Sequence, residues 1–184
     1  LIALGVEPYP RGFSQTDTVS ALVETHGEKD GETLEGEQTR TTVAGRVLGI
    51  RSFGKANFLV ISDGASRIQV YVRQDSVSER DFGVLGLLDF GDLVGVEGRL
   101  FRTRTKELTV WAASLEFLAK CLVPLPEKWH GLTDIETRYR QRYLDLIVNS
   151  DARKVFETRG RVLSSIRRFL DGRGYLEVET PMMQ

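Results

Sequence analysis

Short runs of alternating apolar and polar residues between positions 41 and 118 constrain the fold of this 184-residue chain more than any other feature. In one run, Ile68, Val70 and Val72 alternate with more polar residues. A period of two places successive side chains on opposite faces of a β-strand. The same pattern predicts four further strands, over residues 43–50, 58–62, 94–100 and 108–112. A helix near residues 78–88 separates the third strand from the fourth.

Five strands with a helix between the third and the fourth are typical of an OB-fold barrel, a common platform for single-stranded nucleic acid. Barrel closure also removes most exposed strand edges. The predicted fold class is therefore mainly β with α. It consists of a five-stranded barrel over residues 40–120, preceded by a short helical segment and followed by the start of a second, α+β domain.

The first 39 residues differ from the rest in charge. They contain 2 basic and 8 acidic residues, whereas the whole chain has a formal net charge of -1. We interpret this region as a helical extension near residues 17–25 followed by a solvated acidic linker. The slight excess of basic residues beyond position 40 permits an anionic partner without requiring one.

The C-terminal third carries helical rather than strand signals. Prolines at 124 and 126 indicate a connector over residues 121–132. A capping box that begins at Thr133 predicts a helix to about Leu146, and a second amphipathic helix lies between Asp151 and Gly172. Residues 175–178 then read as a strand. Residues 133–184 are therefore predicted to begin another domain, with the missing packing partners downstream or on a second subunit.

Several classes of protein are excluded by what the sequence lacks. Cys121 is the only cysteine, and with His26 and His130 as the only histidines neither a disulfide framework nor a zinc cluster can be assembled. No apolar run approaches the roughly 20 residues of a membrane span, and the N-terminus does not read as a secretory signal. We expect a cytoplasmic protein with no metal site in this chain.

One apparent nucleotide motif is rejected. The glycines and the lysine of residues 49–55 match the spacing of a phosphate-binding P-loop, but Ala56 stands where a magnesium-binding hydroxyl is required. The following residues also read as a strand, whereas a P-loop leads into a helix. We predict a hairpin turn here.

The outer face of the predicted barrel offers a better candidate site. Gln69 and Arg67 share one side of the third strand, Phe58 begins the neighbouring second strand, and Glu107 starts the fifth. An aromatic ring can stack on a base, and Gln and Glu side chains can hydrogen-bond to a base edge. From the pattern alone, an ordinary half-exposed sheet face explains the same residues.

Longer motifs connect the chain to a known family. Residues 130–147, HGLTDIETRYRQRYLDLI, resemble the start of the catalytic domain of class II lysyl-tRNA synthetases. Residues 174–183, GYLEVETPMM, resemble motif 1 of class II synthetases, which forms their dimer interface. Residues 4–10 and 42–118 are similar to the N-terminal anticodon-binding domain of the same family. On this resemblance, the interface residues are Gly174, Glu177, Glu179 and Pro181.

The resemblance implies a role for the barrel and a chemistry for the whole enzyme. Phe58, Gln69 and Glu107 correspond to the family's uridine-reading residues, and Arg51 corresponds to an anticodon-contacting arginine. The implied partner is the anticodon loop of tRNA(Lys). The full-length homodimer would use ATP, Mg²⁺ and lysine to form lysyl-adenylate and then charge the tRNA. No catalytic residue falls in this chain, so we expect this piece of the enzyme to be inactive alone.

Two other functions remain open at this stage. A non-catalytic tRNA-binding protein or paralogue could share the barrel, since a fold does not establish an activity. Aspartyl- and asparaginyl-tRNA synthetases have a similar barrel and central-base pocket. The motif at residues 130–147 and the Pro8-Tyr9-Pro10 segment favour lysine.

Overall fold

A computed structural model describes residues 1–123, 125–126, 132 and 134–181 of the chain. Contacts divide it into two compact units, Leu1–Pro124 and Leu125–Gln184. The first unit contains all five strands: β1 (Arg40–Phe53), β2 (Ala56–Ser62), β3 (Arg67–Arg73), β4 (Leu93–Arg102) and β5 (Leu108–Ala119). Its helices are a short 3-10 turn (Ile2–Leu4), α1 (Val19–His26), α2 (Gly31–Glu37) and α3 (Glu79–Leu85).

The five strands form a closed barrel in the order β1-β2-β3-β5-β4. All neighbouring pairs are antiparallel except β3 and β5, which run parallel. The predicted strands, the helix between the third and fourth, and the OB-fold class are confirmed. The alternation in β3 separates two faces, as predicted. Ile68, Val70 and Val72 are buried inside the barrel, whereas Gln69 and Tyr71 are only partly buried.

The turn between β1 and β2 confirms the rejection of a P-loop. The antiparallel register runs up to the pair Phe53 and Ala56, so only Gly54 and Lys55 form the turn. Gly54 has a φ of 67°, a left-handed conformation that glycine adopts without steric cost. No helix follows these residues, since β2 begins at Ala56.

The acidic segment after α1 is a helix, so its interpretation as a solvated linker is wrong. Asp30 accepts a hydrogen bond from the Thr33 amide at 2.8 Å and caps α2. Leu34 is fully buried in the same apolar cluster as the barrel interior. Leu34 is thus the one buried residue of a helix whose acidic side chains stay at the surface.

The second unit begins with two short helices where the capping box predicted one. These are α4 (Ile135–Arg140) and α5 (Arg142–Val148), separated by Gln141, whose φ of -117° and ψ of 58° leave the helical region. Asp134 caps α4 through the Thr137 amide at 2.7 Å. The predicted cap, Thr133, lies outside the described residues.

A buried carboxylate connects the two helices across this break. The side chain of Asp145 is fully buried and accepts hydrogen bonds from Arg138 Nε at 3.0 Å and Arg142 NH1 at 2.6 Å. Asn149 adds a third donor at 3.3 Å. Burial by itself raises the pKa of Asp145, but these donors and the two cationic side chains lower it below the ordinary value. Asp145 thus ties α4 to α5.

The third helix of this unit, α6 (Ser150–Asp171), matches its predicted bounds. None of its residues is buried, and its predicted apolar stripe is at the surface. The exposed members are Val155, Phe156, Val162, Leu163, Ile166, Phe169 and Leu170. The strand predicted over residues 175–178 is absent from the described part of this unit, because a strand needs a neighbouring strand to satisfy its backbone groups. In the residues that the structure describes, no helix combines the length and the apolar character that crossing a membrane requires.

Candidate nucleic-acid interface

Three neighbouring strands and one loop bring the four predicted base-binding residues to one outer face of the barrel. Arg51 on β1 lies directly opposite Phe58 on β2. Gln69 on β3 lies opposite Val60, two residues along from Phe58 on the same face. Glu107 immediately precedes β5, which pairs with β3 at Gln69. Sequence positions 51 to 107 thus converge because the barrel closes through the β3–β5 pair.

Gln69 and Glu107 are joined by a direct hydrogen bond. Gln69 Nε2 donates to Glu107 Oε2 at 2.7 Å. The other end of the amide, Oε1, lies 3.1 Å from the hydroxyl of Thr109. Thr109 is fully buried, and the sequence patterns did not single it out. The result is a three-residue polar cluster with Glu107 at the surface, Gln69 half-buried and Thr109 beneath them.

Phe58 is one of a row of aromatic side chains on the same face. Its ring lies 4.9 Å from Tyr71 and 6.3 Å from Phe53, measured between centroids. Tyr71 continues the row to Trp111 at 5.3 Å and Phe101 at 6.0 Å. Sequence reasoning identified only Phe58. The other rings could have been found from their outward positions on alternating strands, combined with the strand order.

A shallow pocket of about 340 Å³ opens around Gln69 and Glu107, and none of these rings lines it. Arg51, Arg67, Gln69, Arg102 and Glu107 supply its polar lining. Three guanidinium groups and one carboxylate make the lining cationic on balance, which suits a phosphate backbone, while the amide and carboxylate can pair with a base edge. The wall also includes Val23 and Gly27. Both belong to residues 1–39, which precede the barrel and are called the N-terminal arm below.

Arg102 fastens that arm to the barrel. Its Nε donates to the Lys29 carbonyl at 2.5 Å, and its two terminal nitrogens donate to the carbonyls of Gly27 and Lys106. One guanidinium therefore bridges the loop after α1 and the loop that carries Glu107. This role of Arg102 could not be predicted from a sequence motif, because the three acceptors are backbone atoms.

Asp63 provides a second attachment of the arm, at the start of α1. Its carboxylate accepts from Ser20 Oγ at 2.7 Å and Ser20 N at 2.8 Å, and from the amides of Ala65 and Ser66 at 2.9 Å. Burial raises the pKa of Asp63, but the hydroxyl and amide donors outweigh it and hold the pKa below the ordinary value of 3.8. The anionic form is thus the one that binds the arm.

The residues that resemble a dimer interface lie at the end of the second unit. Gly174 has a φ of 82° and ends the turn after α6. Glu177 accepts a hydrogen bond from Arg167 Nε at 2.9 Å, and Glu179 and Pro181 are exposed. Across the described ranges, no three His, Cys, Asp or Glu side chains are grouped so that they could hold a metal ion.

Two protein families match the chain. Residues 41–118 match the OB-fold nucleic acid binding domain, and residues 134–184 match the tRNA synthetases class II (D, K and N). The first match coincides with the barrel that carries the pocket, and the second covers α4, α5 and α6. The chain therefore joins an OB-fold nucleic acid binding domain to the beginning of a class II tRNA synthetase domain.

The curated relatives are more specific. A lysine-tRNA ligase of Anaeromyxobacter sp. (strain K) is 50% identical over 183 residues, which is 100% of this chain and 36% of the relative. Proteins of the same name from Pelotomaculum thermopropionicum and Bacillus mycoides are 48% and 45% identical over 98% and 97% of the chain, and over 34% and 36% of their own lengths. The chain is homologous to the N-terminal part of lysine-tRNA ligases and spans about a third of their length.

Proposed function

We propose that this chain is the anticodon-binding part of a lysine-tRNA ligase and that Arg51, Phe58, Gln69 and Glu107 bind the anticodon loop of tRNA(Lys). The observation that carries the proposal is the Gln69–Glu107 hydrogen bond of 2.7 Å on the outer face that also carries Phe58. It lies in a domain matched as nucleic-acid binding and in a chain whose relatives are named lysine-tRNA ligases.

The chemistry of this outer face fits an unpaired uridine. Phe58 supplies a ring on which the base stacks. Gln69 keeps a second N–H for a base carbonyl, and Glu107 accepts from the base N3–H. Arg51, directly across from Phe58, is placed to contact a neighbouring phosphate. Stacking, base-edge pairing and charge are thus divided among the four side chains.

For the whole protein we propose the class II ligase reaction. Lysine attacks the α-phosphate of ATP in the presence of Mg²⁺, forming lysyl-adenylate and releasing pyrophosphate. The terminal adenosine of tRNA(Lys) then accepts the lysyl group with release of AMP. The residues that bind ATP and lysine are expected outside this chain, so lysine-dependent ATP–pyrophosphate exchange should be found with the full-length protein and not with these 184 residues. A cytoplasmic location is part of the same proposal.

We also propose that the full-length protein is a homodimer and that α6 and residues 174–181 lie in its interface, with Gly174, Glu177, Glu179 and Pro181. The exposed apolar stripe on α6 supports this, because a 22-residue helix with such a face needs a packing partner. Equilibrium sedimentation of the full-length protein tests it, and a monomer at micromolar concentration contradicts it.

The central experiment is a titration of the chain with an anticodon stem-loop of tRNA(Lys). Phe58→Ala, Gln69→Ala and a loop with the central uridine replaced should each weaken binding by about 1 to 3 kcal/mol, the value of one stacked or hydrogen-bonded base. Phe90→Ala is the matched control, because Phe90 is 57% exposed in the loop between α3 and β4, away from the strands that carry the four residues.

Salt concentration must be varied in this titration, since phosphate contacts alone imitate recognition. Equal binding of all variants and loops, lost together as salt rises, would refute the pocket assignment. The second family match also covers synthetases for aspartate and asparagine. The amino acid that stimulates exchange in the full-length protein separates these from lysine, and no exchange with any of the three would favour a non-catalytic paralogue.

A further inference from the structure

Thr109 lies beneath the proposed base-reading pair and makes no contribution to its surface. The residue is fully buried, and its hydroxyl oxygen is 3.1 Å from both Gln69 Oε1 and the backbone oxygen of Glu107. The strand register explains the position, because Thr109 on β5 is the parallel partner of Gln69 on β3. The hydroxyl therefore touches both members of the pair from the protein side.

The hydrogen-bonding partners of the Gln69 amide determine which way it faces. A carboxylate only accepts, so the Gln69 atom that lies 2.7 Å from Glu107 must be the nitrogen. The amide oxygen then faces Thr109, which has one hydroxyl proton to donate. A flipped amide would set two oxygens against each other at Glu107. It would also turn its nitrogen toward Thr109, whose hydroxyl would then accept from the amide and donate its proton to the Glu107 backbone oxygen instead. Glu107 therefore sets the direction of the amide, and Thr109 supports that direction by donating to the amide oxygen.

We propose that Thr109 is a positioning residue for base selection, which acts by locking the orientation of the Gln69 amide. This inference rests on the proposed function. With the amide locked, the pair presents one N–H donor beside one carboxylate acceptor. Uracil matches this order with a carbonyl acceptor beside its N3–H donor. Cytosine presents an amino donor beside the N3 acceptor, so that its N3 lone pair faces the carboxylate. Thr109 therefore favours uracil over cytosine without touching either base.

The valine variant tests this, because Thr109→Val keeps the shape of the side chain and removes the hydroxyl. Binding of the chain to stem-loops with a central uridine or a central cytidine is compared at one salt concentration. We expect the ratio of the two affinities to fall by about tenfold in Thr109→Val, the effect of one oriented hydrogen bond. Thr109→Ser, which restores the hydroxyl, should keep the wild-type ratio. Thr109→Ala removes the hydroxyl with a smaller side chain and should behave like the valine variant.

A double variant distinguishes positioning from simple packing. If Thr109 acts through Gln69, adding Thr109→Val to Gln69→Ala should leave the affinity ratio unchanged. Thermal unfolding of each variant provides the structural readout, and a merely structural role would lower the melting temperature and both affinities together.

Wild-type discrimination retained in both Thr109→Val and Thr109→Ala would overturn the role of Thr109 while leaving the pocket assignment intact. Loss of discrimination in Thr109→Ser equal to that in the valine variant would also overturn it. If the wild-type chain itself does not discriminate between the two loops, the proposed function of the pocket fails first, and the inference about Thr109 fails with it.

Discussion

The clamp formed by Arg102 offers the sharpest test of how the pocket is assembled. Its guanidinium donates to three backbone carbonyls, those of Gly27 and Lys29 in the arm and that of Lys106 in the loop before Glu107. A hydrogen bond with a charged partner contributes about 1.5 to 3 kcal/mol when buried, and these carbonyls regain water when the side chain is removed. Counting each bond near 1 kcal/mol, Arg102→Ala should lower the free energy of unfolding by about 2 to 4 kcal/mol.

Urea denaturation measures this loss, and amide exchange locates it. We expect faster exchange at residues 27–29 and 103–107, and about tenfold weaker binding of the stem-loop because Glu107 loses its support. Arg102→Lys should recover only part of the effect, since an ammonium lacks the planar fork that reaches three separate acceptors.

Arg104→Ala is the matched control, because Arg104 is an exposed cation two residues further along, in the turn after β4. An ordinary surface substitution changes the free energy of unfolding by at most about 0.5 kcal/mol. If the free energy of unfolding of Arg102→Ala lies within that range of both wild type and Arg104→Ala, Arg102 does not hold the arm and the reasoning is refuted.

Two further predictions concern carboxylates whose pKa is lowered in the folded chain. Because the pKa of Asp63 lies below its ordinary value, its stabilising effect is complete above about pH 5 and is lost as the pH falls through 3.8 and below. Exchange of the α1 amides should therefore accelerate in acid, and Asp63→Asn should abolish that pH dependence; an unchanged acid profile would contradict the attachment. In the second unit, Asp145→Ala removes the buried partner of Arg138 and Arg142. We expect the free energy of unfolding to fall by about 3 kcal/mol, the lower end of the range for a broken buried ion pair, because both arginines are partly exposed. Amide exchange measures the helix content of residues 135–148, which should fall in Asp145→Ala. It should not fall in Glu136→Ala, because the ion pair of Glu136 with Arg140 is at the surface.

The strands and α6 were predictable because their signals are local. Alternation with a period of two defined β1 to β5, and the 3.6-residue period defined α6. The acidic helix α2 was missed because its only buried side chain, Leu34, is a single apolar residue in a polar run. No pattern in the neighbouring residues indicates that Leu34 packs into the same apolar cluster as the barrel interior. The break at Gln141 was missed for the same reason, since the Asp145 ion pairs link residues of both helices.

The candidate site divides in the same way. The four residues that we propose for anticodon binding came from their types and from a family resemblance, and the barrel brings all four to one face. The aromatic neighbours of Phe58, the clamp by Arg102 and the support from Thr109 did not come from the sequence. Each depends on at least one contact between residues that are 13 to 75 positions apart.

The sequence by itself therefore determined the five strands, the long helix α6, the inward and outward faces of the barrel and the kinds of side chain in the candidate site. These follow from periodicity and chemical type, which are properties of neighbouring residues. Only the tertiary structure decided which side chains meet and which way the Gln69 amide faces. Those outcomes depend on the closure and register of the barrel, where hydrogen-bond partners come from different strands and from backbone atoms that no residue pattern specifies.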